Sequence, residues 1–209
     1  MRFVTPVNRD QLVHAALDLV DDDGAEALSM RAVAKRVDRQ VSSLYNHVSG
    51  RGELIELIRA RIVAGIDIAP FATEPWDVAL EAWAKSYLTA FAAHPNLIRL
   101  LATTPIRDVS TFAMYDAVIA SLGAQGWPID EAVAVMRTVE AHVLGSALDI
   151  VAPSDMLAQS AVPAEFATIR AALGPEHAES YGALAAFRLG LQALLTGLRE
   201  RHGARATHN

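Results

Sequence analysis

The stretch that decides the fold is residues 28–58, LSMRAVAKRVDRQVSSLYNHVSGRGELIELI. Its apolar residues recur at spacings of three and four, which is typical of amphipathic helices. Ser29 is a good N-cap for a short helix, a tight turn is expected after Val37, and a second short helix follows from about Gln40 to Val48. Two short helices joined by a tight turn have the arrangement of a helix-turn-helix.

Further helices are predicted on both sides of this stretch. Upstream, apolar residues at helical spacing predict a helix over 8–23 that ends at Gly24. Downstream, a helix begins near Glu53 and carries Leu54, Ile55, Ile58, Ile62 and Ile66 on one side, until Pro70 and Pro75 stop it. The rest consists of Ala-rich segments with helical spacing and proline-containing turns, without a strand pattern.

The sequence therefore predicts an all-α protein with two domains. A three-helix helix-turn-helix domain covers residues 1–52, a connecting helix covers 53–70, and a larger helical domain covers 71–209.

The charge is distributed unevenly along the chain. The whole sequence has a formal charge of −6, whereas residues 29–52 hold five basic residues against Asp38 alone, a local excess of +4. Clustered basic residues can neutralise phosphates even in an acidic protein. A solvated helix face accounts for most charge runs of this size, so both interpretations stay open.

Length and composition exclude several classes of protein. The 209 residues suffice for a core that needs no disulfide or metal. Cysteine is absent, which excludes disulfide frameworks, iron–sulfur clusters and thiol nucleophiles, and fits a reducing cytoplasm. No uninterrupted apolar run approaches the ~18 residues of a spanning helix. The N-terminal MRFVTPVNRDQLV has no export-signal pattern, so we expect a cytoplasmic protein.

Catalytic motifs are missing from the sequence. There is no phosphate-binding loop that ends in Lys-Ser/Thr, no nucleophile elbow and no pair of histidines one helical turn apart. The seven histidines are too scattered to indicate a ligand cluster. We expect neither an enzyme nor a bound cofactor.

Two later segments carry apolar residues at the spacing of helices that pair with each other. The first has Val133, Met136, Val143, Ala147 and Ile150, broken at Glu140, and the second has Leu184, Phe187, Leu191, Leu194 and Leu198. Each set fits ordinary core. Two such helices side by side also form a self-complementary surface that a two-fold copy closes into a four-helix bundle. We expect a homodimer through the helices at about 132–151 and 180–201.

The stretch 28–58 resembles the DNA-binding segment of the TetR family of bacterial transcriptional regulators. The resemblance lies in the Leu-Tyr-x-His-Val run at 44–48, the basic residue after it and the Leu-rich fourth helix. The chain from PWDVALEAWAKSYLTAFAAHP onward resembles more loosely the effector-binding and dimerisation domain of the tetracycline-repressor branch. The resemblance thus implies a homodimeric repressor that a small molecule releases from a palindromic operator.

The resemblance also implies that the helix from about Gln40 to Val48 lies in the major groove of double-stranded DNA. The residues expected to contact DNA are Ser29, Arg31, Arg39, Val41, Ser42, Ser43, Tyr45, Asn46, His47 and Arg51. Tyr45 and His47 would contact phosphates, and the arginines would position the protein through contacts to the DNA backbone. Ser42 and Ser43 fit a plain helix cap equally well, and a structural role is the main alternative for Tyr45.

Two residues of the turn depart from the family pattern. Asp38 stands where the family commonly has glycine, and aspartate tolerates left-handed backbone better than most residues. Arg39 stands where a small apolar residue usually fills the core, so either its side chain extends outward or the packing has shifted.

The effector is expected to differ from magnesium-chelated tetracycline. In the tetracycline-repressor branch a metal-binding histidine precedes a Thr-Arg-Pro turn, whereas Leu100 and Thr104 stand at the histidine and arginine positions here. We therefore expect no metal and a hydrophobic or aromatic effector. The residues expected around it are Trp83, Tyr87, Leu100, Thr103, Thr104, Met114, Val118 and Met136, with His142 and Asp149 as polar anchors. Each of them also fits ordinary helical core.

Two other functions compete with this hypothesis. In one, the N-terminal unit docks on an acidic protein partner, which predicts weak DNA binding without sequence preference. In the other, the helical pocket transforms a small molecule, but no nucleophile, metal cluster or cofactor motif supports an enzyme.

Overall fold

The computed structural model describes residues 7–153 and 155–206, and every regular element in this part of the chain is helical, as predicted. The N-terminal helices are α1 (Arg9–Asp23), α2 (Met30–Arg36), α3 (Val41–Leu44) and α4 (Arg51–Val63). The later helices are α5 (Trp76–Ala92), α6 (Asn96–Ala102), α7 (Val109–Ala124), α8 (Ile129–Ile150), α9 (Ala167–Ala172), α10 (Ala178–Tyr181) and α11 (Ala183–Ala206). Residues 1–6, which belong to the stretch used for the export expectation, lie outside the described residues.

Local capping explains where the first two helices begin and end. Asn8 and Gln11 form a reciprocal capping box at the start of α1, and Gly24, with a φ of 84°, ends that helix. The Ser29 hydroxyl accepts a hydrogen bond from the backbone N–H of Ala32 at the start of α2. These boundaries agree with the predicted ones.

The third and fourth helices differ from their predicted lengths. The helix expected from Gln40 to Val48 is regular only over Val41–Leu44, and a hydrogen-bonded turn continues it, with the N–H groups of His47 and Val48 donating to the carbonyl of Leu44. Helix α4 begins two residues earlier than expected and ends at Val63, so the connecting helix does not reach residue 70.

Helix α4 joins the two halves of the fold. The predicted apolar side of this segment, which includes Leu54, Ile55, Ile58 and Ile62, is buried. The helix packs against α1 on the N-terminal side and against α5 and α7 on the other. A shift of α4 is therefore felt by both halves of the molecule.

Helix α8 is the centre of the C-terminal half, where it packs against α5, α7 and α11. The apolar spacing predicted for α11 is shifted: Phe187, Leu191 and Leu195 are buried within the chain, whereas Leu184 is exposed. On α8, Met136, Val143 and Ala147 are buried and Val133 is exposed. Much of each apolar set therefore packs inside one chain.

Among the described residues no single helix is long and apolar enough to cross a membrane, although the bent pair Pro175–Tyr181 and Ala183–Arg205 together meets the length and composition of a span.

Candidate DNA-binding surface and effector cavity

The turn between α2 and α3 has the left-handed backbone that a glycine would supply. Asp38 has a φ of 53° and is the one non-glycine residue with positive φ in the described ranges. The N–H of Arg39 donates to the carbonyl of Ala34 at 2.9 Å, and one guanidinium nitrogen of Arg39 donates to the carbonyl of Asp38 at 2.7 Å. The half-buried Arg39 therefore folds over the turn, and aspartate replaces the usual glycine without changing its hand.

Helix α3 presents a polar face to solvent. Ser42, Asn46 and Tyr45 are exposed, Tyr45 by 53%, which does not fit a buried structural role for this ring. The Ser43 hydroxyl donates to the carbonyl of Gln40 at 2.9 Å, so it contributes to the start of the helix. Val41 and His47 are half-buried. Leu44 and Val48 on the opposite side are buried in the core.

The basic residues around this face are held in different ways. Arg31 is exposed and has no hydrogen bond or ion pair with the described residues. Arg51 is exposed too, but its Nε donates to the carbonyl of Leu28 at 2.9 Å. Arg36 pairs with Asp22, whose hydrogen bond and charge raise the pKa of the guanidinium. Part of the local positive charge is thus neutralised inside the domain.

A buried arginine connects α4 to the end of α6. Arg59 is 5% exposed, donates to the carbonyl of Leu101 at 3.2 Å and to that of Thr104 at 3.0 Å, and pairs with Glu56 at 3.3 Å. Glu56 in turn accepts a hydrogen bond from the N–H of Arg107 at 2.6 Å. The segment between α6 and α7 is therefore fixed to α4 by charge-assisted hydrogen bonds.

A second connection joins α1 to the start of α6. The Nδ1 atom of His94 lies 2.7 Å from Asp21, and the side-chain amide of Asn96 donates to the carbonyls of Val20 and Asp21 at 3.2 and 3.0 Å. The N-terminal helices thus contact the rest of the chain at two separate places around α6.

A cavity of about 510 Å³ opens beside the Arg59 connection. It lies among α4, α5, α6, α7 and α8, with the following lining residues: Arg59, Tyr87, Phe91, Ile98, Leu101, Ala102, Thr103, Thr104, Pro105, Ile106, Tyr115, Val133, Met136, Arg137, Glu140 and Leu144. Its volume is in the range of small-molecule sites, and most of its lining is apolar or aromatic.

Four of the ten residues predicted from the sequence line this cavity, namely Tyr87, Thr103, Thr104 and Met136. Four others are buried without lining it: Trp83, Leu100, Met114 and Val118. Trp83 packs edge-on behind Tyr87, with ring centroids 5.2 Å apart. Trp83 therefore supports one of the lining side chains from behind.

The two expected polar anchors lie elsewhere. His142 faces α11, where its ring stacks on Phe187 with centroids 5.4 Å apart and its Nε2 lies 3.0 Å from the carbonyl of Phe187. Asp149 is exposed near the C-terminal end of α8. Successive residues of a helix are rotated by about 100°, so side chains on α8 face different directions. The sequence alone does not say which side of α8 faces the cavity.

Sequence reasoning missed the polar end of the cavity. The Oε1 atom of Glu140 accepts hydrogen bonds from the hydroxyls of Tyr87 at 2.8 Å and Tyr115 at 2.6 Å. Burial, and next the charge of Glu140, raise the pKa of both tyrosines far above the ordinary range. The signal was present, since Glu140 interrupts the apolar spacing of its helix.

No group of three or more His, Asp or Glu side chains in the described ranges is arranged to hold a metal ion. Leu100, at the position expected for a metal-binding histidine, is buried in α6.

Comparison with known proteins gives consistent matches. Residues 69–202 match the family model described as "Tetracyclin repressor-like, C-terminal domain". The HTH-type transcriptional repressor DrrR1 of Streptomyces coeruleorubidus is 32% identical over 139 residues, which cover 66% of this chain and 52% of that protein. The match therefore spans about half the length of DrrR1.

Two further matches cover nearly the whole chain. The tetracycline repressor protein class E of Escherichia coli is 27% identical over 191 residues, 90% of this chain and 89% of that protein. A TetR variant from Acinetobacter baumannii AYE, whose crystal structure is in complex with minocycline, is 26% identical in sequence to this chain. The two structures match with a TM-score of 0.76 over 94% of this chain and 95% of that one.

Proposed function

This chain belongs to the TetR family of transcriptional regulators and has a tetracycline-repressor-like C-terminal domain. From that premise we propose that it is a homodimeric repressor, and that a small, largely apolar effector releases it from a palindromic operator. The observation that carries the proposal is the exposed polar face of α3, which is connected through α4 and the buried Arg59 to the cavity.

Recognition of DNA is assigned to α3 and the arginines around it. Ser42, Tyr45 and Asn46 are exposed on one side of a helix whose other side is core, so they can enter a major groove together. Arg31 and Arg51 contact phosphates, with Ser29 at the start of α2. The other residues expected to contact DNA are less exposed, namely Val41, Ser43, His47 and Arg39. We assign to them close contacts with the DNA backbone and with base edges.

Release follows from the connection at Arg59. An effector in the cavity touches Thr103 and Thr104, whose segment hydrogen-bonds to Arg59 and Glu56 on α4. If the effector binds the conformer with a displaced α4 more tightly, the two recognition helices of the dimer lose the spacing of about 34 Å that successive major grooves require. Only this difference in affinity can drive the release.

The effector is proposed to be aromatic and bound without a metal. The cavity has the stacked rings of Tyr87 and Phe91 on one wall, 4.8 Å apart, and leucine at the position of the metal-binding histidine. The similar protein from Acinetobacter baumannii is bound to minocycline. We therefore expect a ring system of similar size, held by stacking and by the polar groups of the cavity.

The dimer is assigned to the outer sides of α8 and α11, within residues 132–151 and 180–201. Leu148, Leu184 and Leu189 are exposed on these helices, by 50%, 46% and 71%. Exposed leucines on adjacent helices support a self-complementary surface.

The proposal also covers domains, location and activity. We propose a DNA-binding domain over 1–52, a connecting segment over 53–70 and an effector and dimerisation domain over 71–209. We further propose a cytoplasmic location and no enzymatic activity.

Selection of a random duplex library by the purified protein tests the proposal. Anisotropy titration of the enriched duplex at several salt concentrations then gives its affinity and the number of phosphate contacts. We expect a palindrome bound much more tightly than random DNA, with half-sites about 10 base pairs apart. If no sequence is enriched and weak binding only falls with salt, the proposal is wrong, and docking of the N-terminal unit on an acidic protein takes its place.

A further inference from the structure

The polar end of the cavity contains a carboxylate whose hydrogen-bonding capacity is half used. Glu140 lies on α8, is half-buried and lines the cavity. Both tyrosine hydroxyls donate to Oε1, and Oε2 has no hydrogen-bond partner among the described residues. A half-buried carboxylate oxygen is stabilised by a hydrogen-bond donor. Oε2 is therefore available as a hydrogen-bond acceptor for a molecule bound in the cavity.

The two tyrosines act as hydrogen-bond donors to Glu140. Because burial and the charge of Glu140 raise the pKa of both hydroxyls, Tyr87 and Tyr115 remain protonated and act as donors. They also fix the orientation of the Glu140 carboxylate, since a carboxylate held by two hydroxyls cannot rotate freely.

No cation within the described residues pairs with this carboxylate. Arg59 also lines the cavity, but its guanidinium is engaged with Glu56 and with the carbonyls of Leu101 and Thr104. Arg137, one turn before Glu140 on α8, lines the cavity too, but it is exposed and forms no ion pair with Glu140. The carboxylate is therefore left without a salt-bridge partner among the described residues.

Aromatic rings lie next to the unpaired carboxylate. Tyr87 and Phe91 stack with an angle of 15° between their planes, and Tyr115 contributes a third ring to the lining. Ring faces attract cations and stack on flat aromatic molecules. A negative group beside stacked rings is therefore complementary to a molecule that is both flat and positively charged.

We propose that the effector is an aromatic or polycyclic molecule with a protonated nitrogen, and that Glu140 accepts a hydrogen bond from this cationic group while Tyr87 and Phe91 pack against the rings. This inference rests on the proposed function, because it assigns a chemical class to the effector of that regulator. It adds the cationic group to an effector that the lining alone describes only as apolar.

Three tricyclic probes that differ in charge test the assignment. In slightly alkaline buffer 9-aminoacridine is a cation, acridine is neutral and anthracene-9-carboxylate is an anion. Each is titrated against the full chain without DNA, because acridines bind DNA by themselves, and probe fluorescence reports binding. We expect 9-aminoacridine to bind at least tenfold more tightly than acridine, and the anion to bind most weakly.

Matched variants locate the preference at Glu140. Glu140→Gln keeps the shape and removes the charge, so we expect it to lower the affinity for 9-aminoacridine at least tenfold and to leave acridine within about twofold. Asp116→Asn removes a charge from the exposed side of α7, away from the cavity lining, and should change neither affinity. Tyr115→Phe keeps the carboxylate, so the preference for the cationic probe should persist in this variant. This measurement does not depend on whether Glu140→Gln folds.

Several outcomes would overturn the proposal. They are equal binding of the cation and the neutral probe, tighter binding of the anion through Arg137, equal loss of both acridines in folded Glu140→Gln, and binding of none of the probes up to their solubility. Selection of operator DNA is measured separately on the same preparation. A chain that prefers the cationic probe but selects no DNA would refute the proposed function and leave this assignment standing, and the reverse result would do the opposite.

Discussion

The face of α3 and the cavity at Glu140 are built in opposite ways. The DNA-binding face comes from one short segment, its side chains are exposed, and its charges act through solvent. The cavity takes side chains from α4, α5, α6, α7 and α8, and its central charge is partly shielded from water. Salt concentration should therefore change the affinity for DNA at the first site strongly and the affinity for an effector at the second site weakly. Because the sites use different physics, a single variant can disturb one and spare the other.

The largest effect is expected where the two regions meet. Arg59→Met leaves Glu56 and the carbonyls of Leu101 and Thr104 without their buried partner. We expect the free energy of unfolding to fall by about 3–5 kcal/mol, measured by urea denaturation. Arg99→Met on the exposed side of α6 is the control and should stay within about 0.5 kcal/mol. Equal losses of unfolding free energy in the two variants would show that Arg59 contributes no more to stability than an exposed arginine.

The next effect separates sequence recognition from backbone positioning within the DNA-binding face. Asn46→Ala should cost about 1–3 kcal/mol of discrimination at one base pair of the selected operator. Arg31→Ala should weaken binding to all sequences and lower the salt slope by about one. Arg36→Ala is the matched control, because Arg36 already pairs with Asp22. An Arg36→Ala effect as large as that of Arg31→Ala would contradict the placement of these charges.

A smaller effect concerns the start of α7, beside the cavity. Asp108 accepts hydrogen bonds from the N–H and hydroxyl of Thr111 at 2.7 and 2.8 Å. Asp108→Ala removes this cap and should cost about 1 kcal/mol, whereas Asp108→Asn keeps an acceptor and should cost less. Thermal unfolding of the three proteins measures the difference, and equal stability of all three would show that the cap contributes nothing.

Acid should weaken the same cap in the wild type. Burial opposes ionisation of Asp108, but hydrogen bonds from Ser110 and Thr111 outweigh it and lower the pKa of this carboxyl below its ordinary value. Because the folded pKa is the lower one, its stabilisation is fully present above the unfolded pKa and is lost as pH falls through the folded pKa. Asp108→Asn should therefore lose less stability than the wild type between about pH 5 and pH 2. An identical pH profile would show that Asp108 does not contribute.

The smallest effect belongs to the turn before α3. Ala at position 38 must adopt a φ of 53° without the local hydrogen bonds that aspartate can form, so Asp38→Ala should lose about 0.5 kcal/mol. Asp38→Gly should stay within that margin of the wild type, and urea denaturation of the three proteins compares them. Equal losses with glycine and with alanine would mean that the carboxylate, not the backbone, holds the turn.

How far the sequence predicts each region follows from the same contrast. The residues of the helix-turn-helix are neighbours in the chain, so a cap such as Ser29 can be identified from local rules, and the resemblance to the TetR family identifies the left-handed position at Asp38. The cavity depends on how each long helix is rotated about its axis. His142 and Glu140 are two residues apart on α8, yet one faces α11 and the other the cavity.

Hydrogen exchange of the amides between α6 and α7 tests the central claim, that the two regions are coupled through Arg59. Coupling between two sites is reciprocal, so operator DNA must change the segment that an effector would move. Mass spectrometry compares exchange over residues 97–108 with and without saturating operator. We predict altered exchange in that segment in the wild type and no change in Arg59→Met, with protection of residues 29–52 in both. Protection of 29–52 with unchanged exchange at 97–108 in the wild type would contradict the coupling.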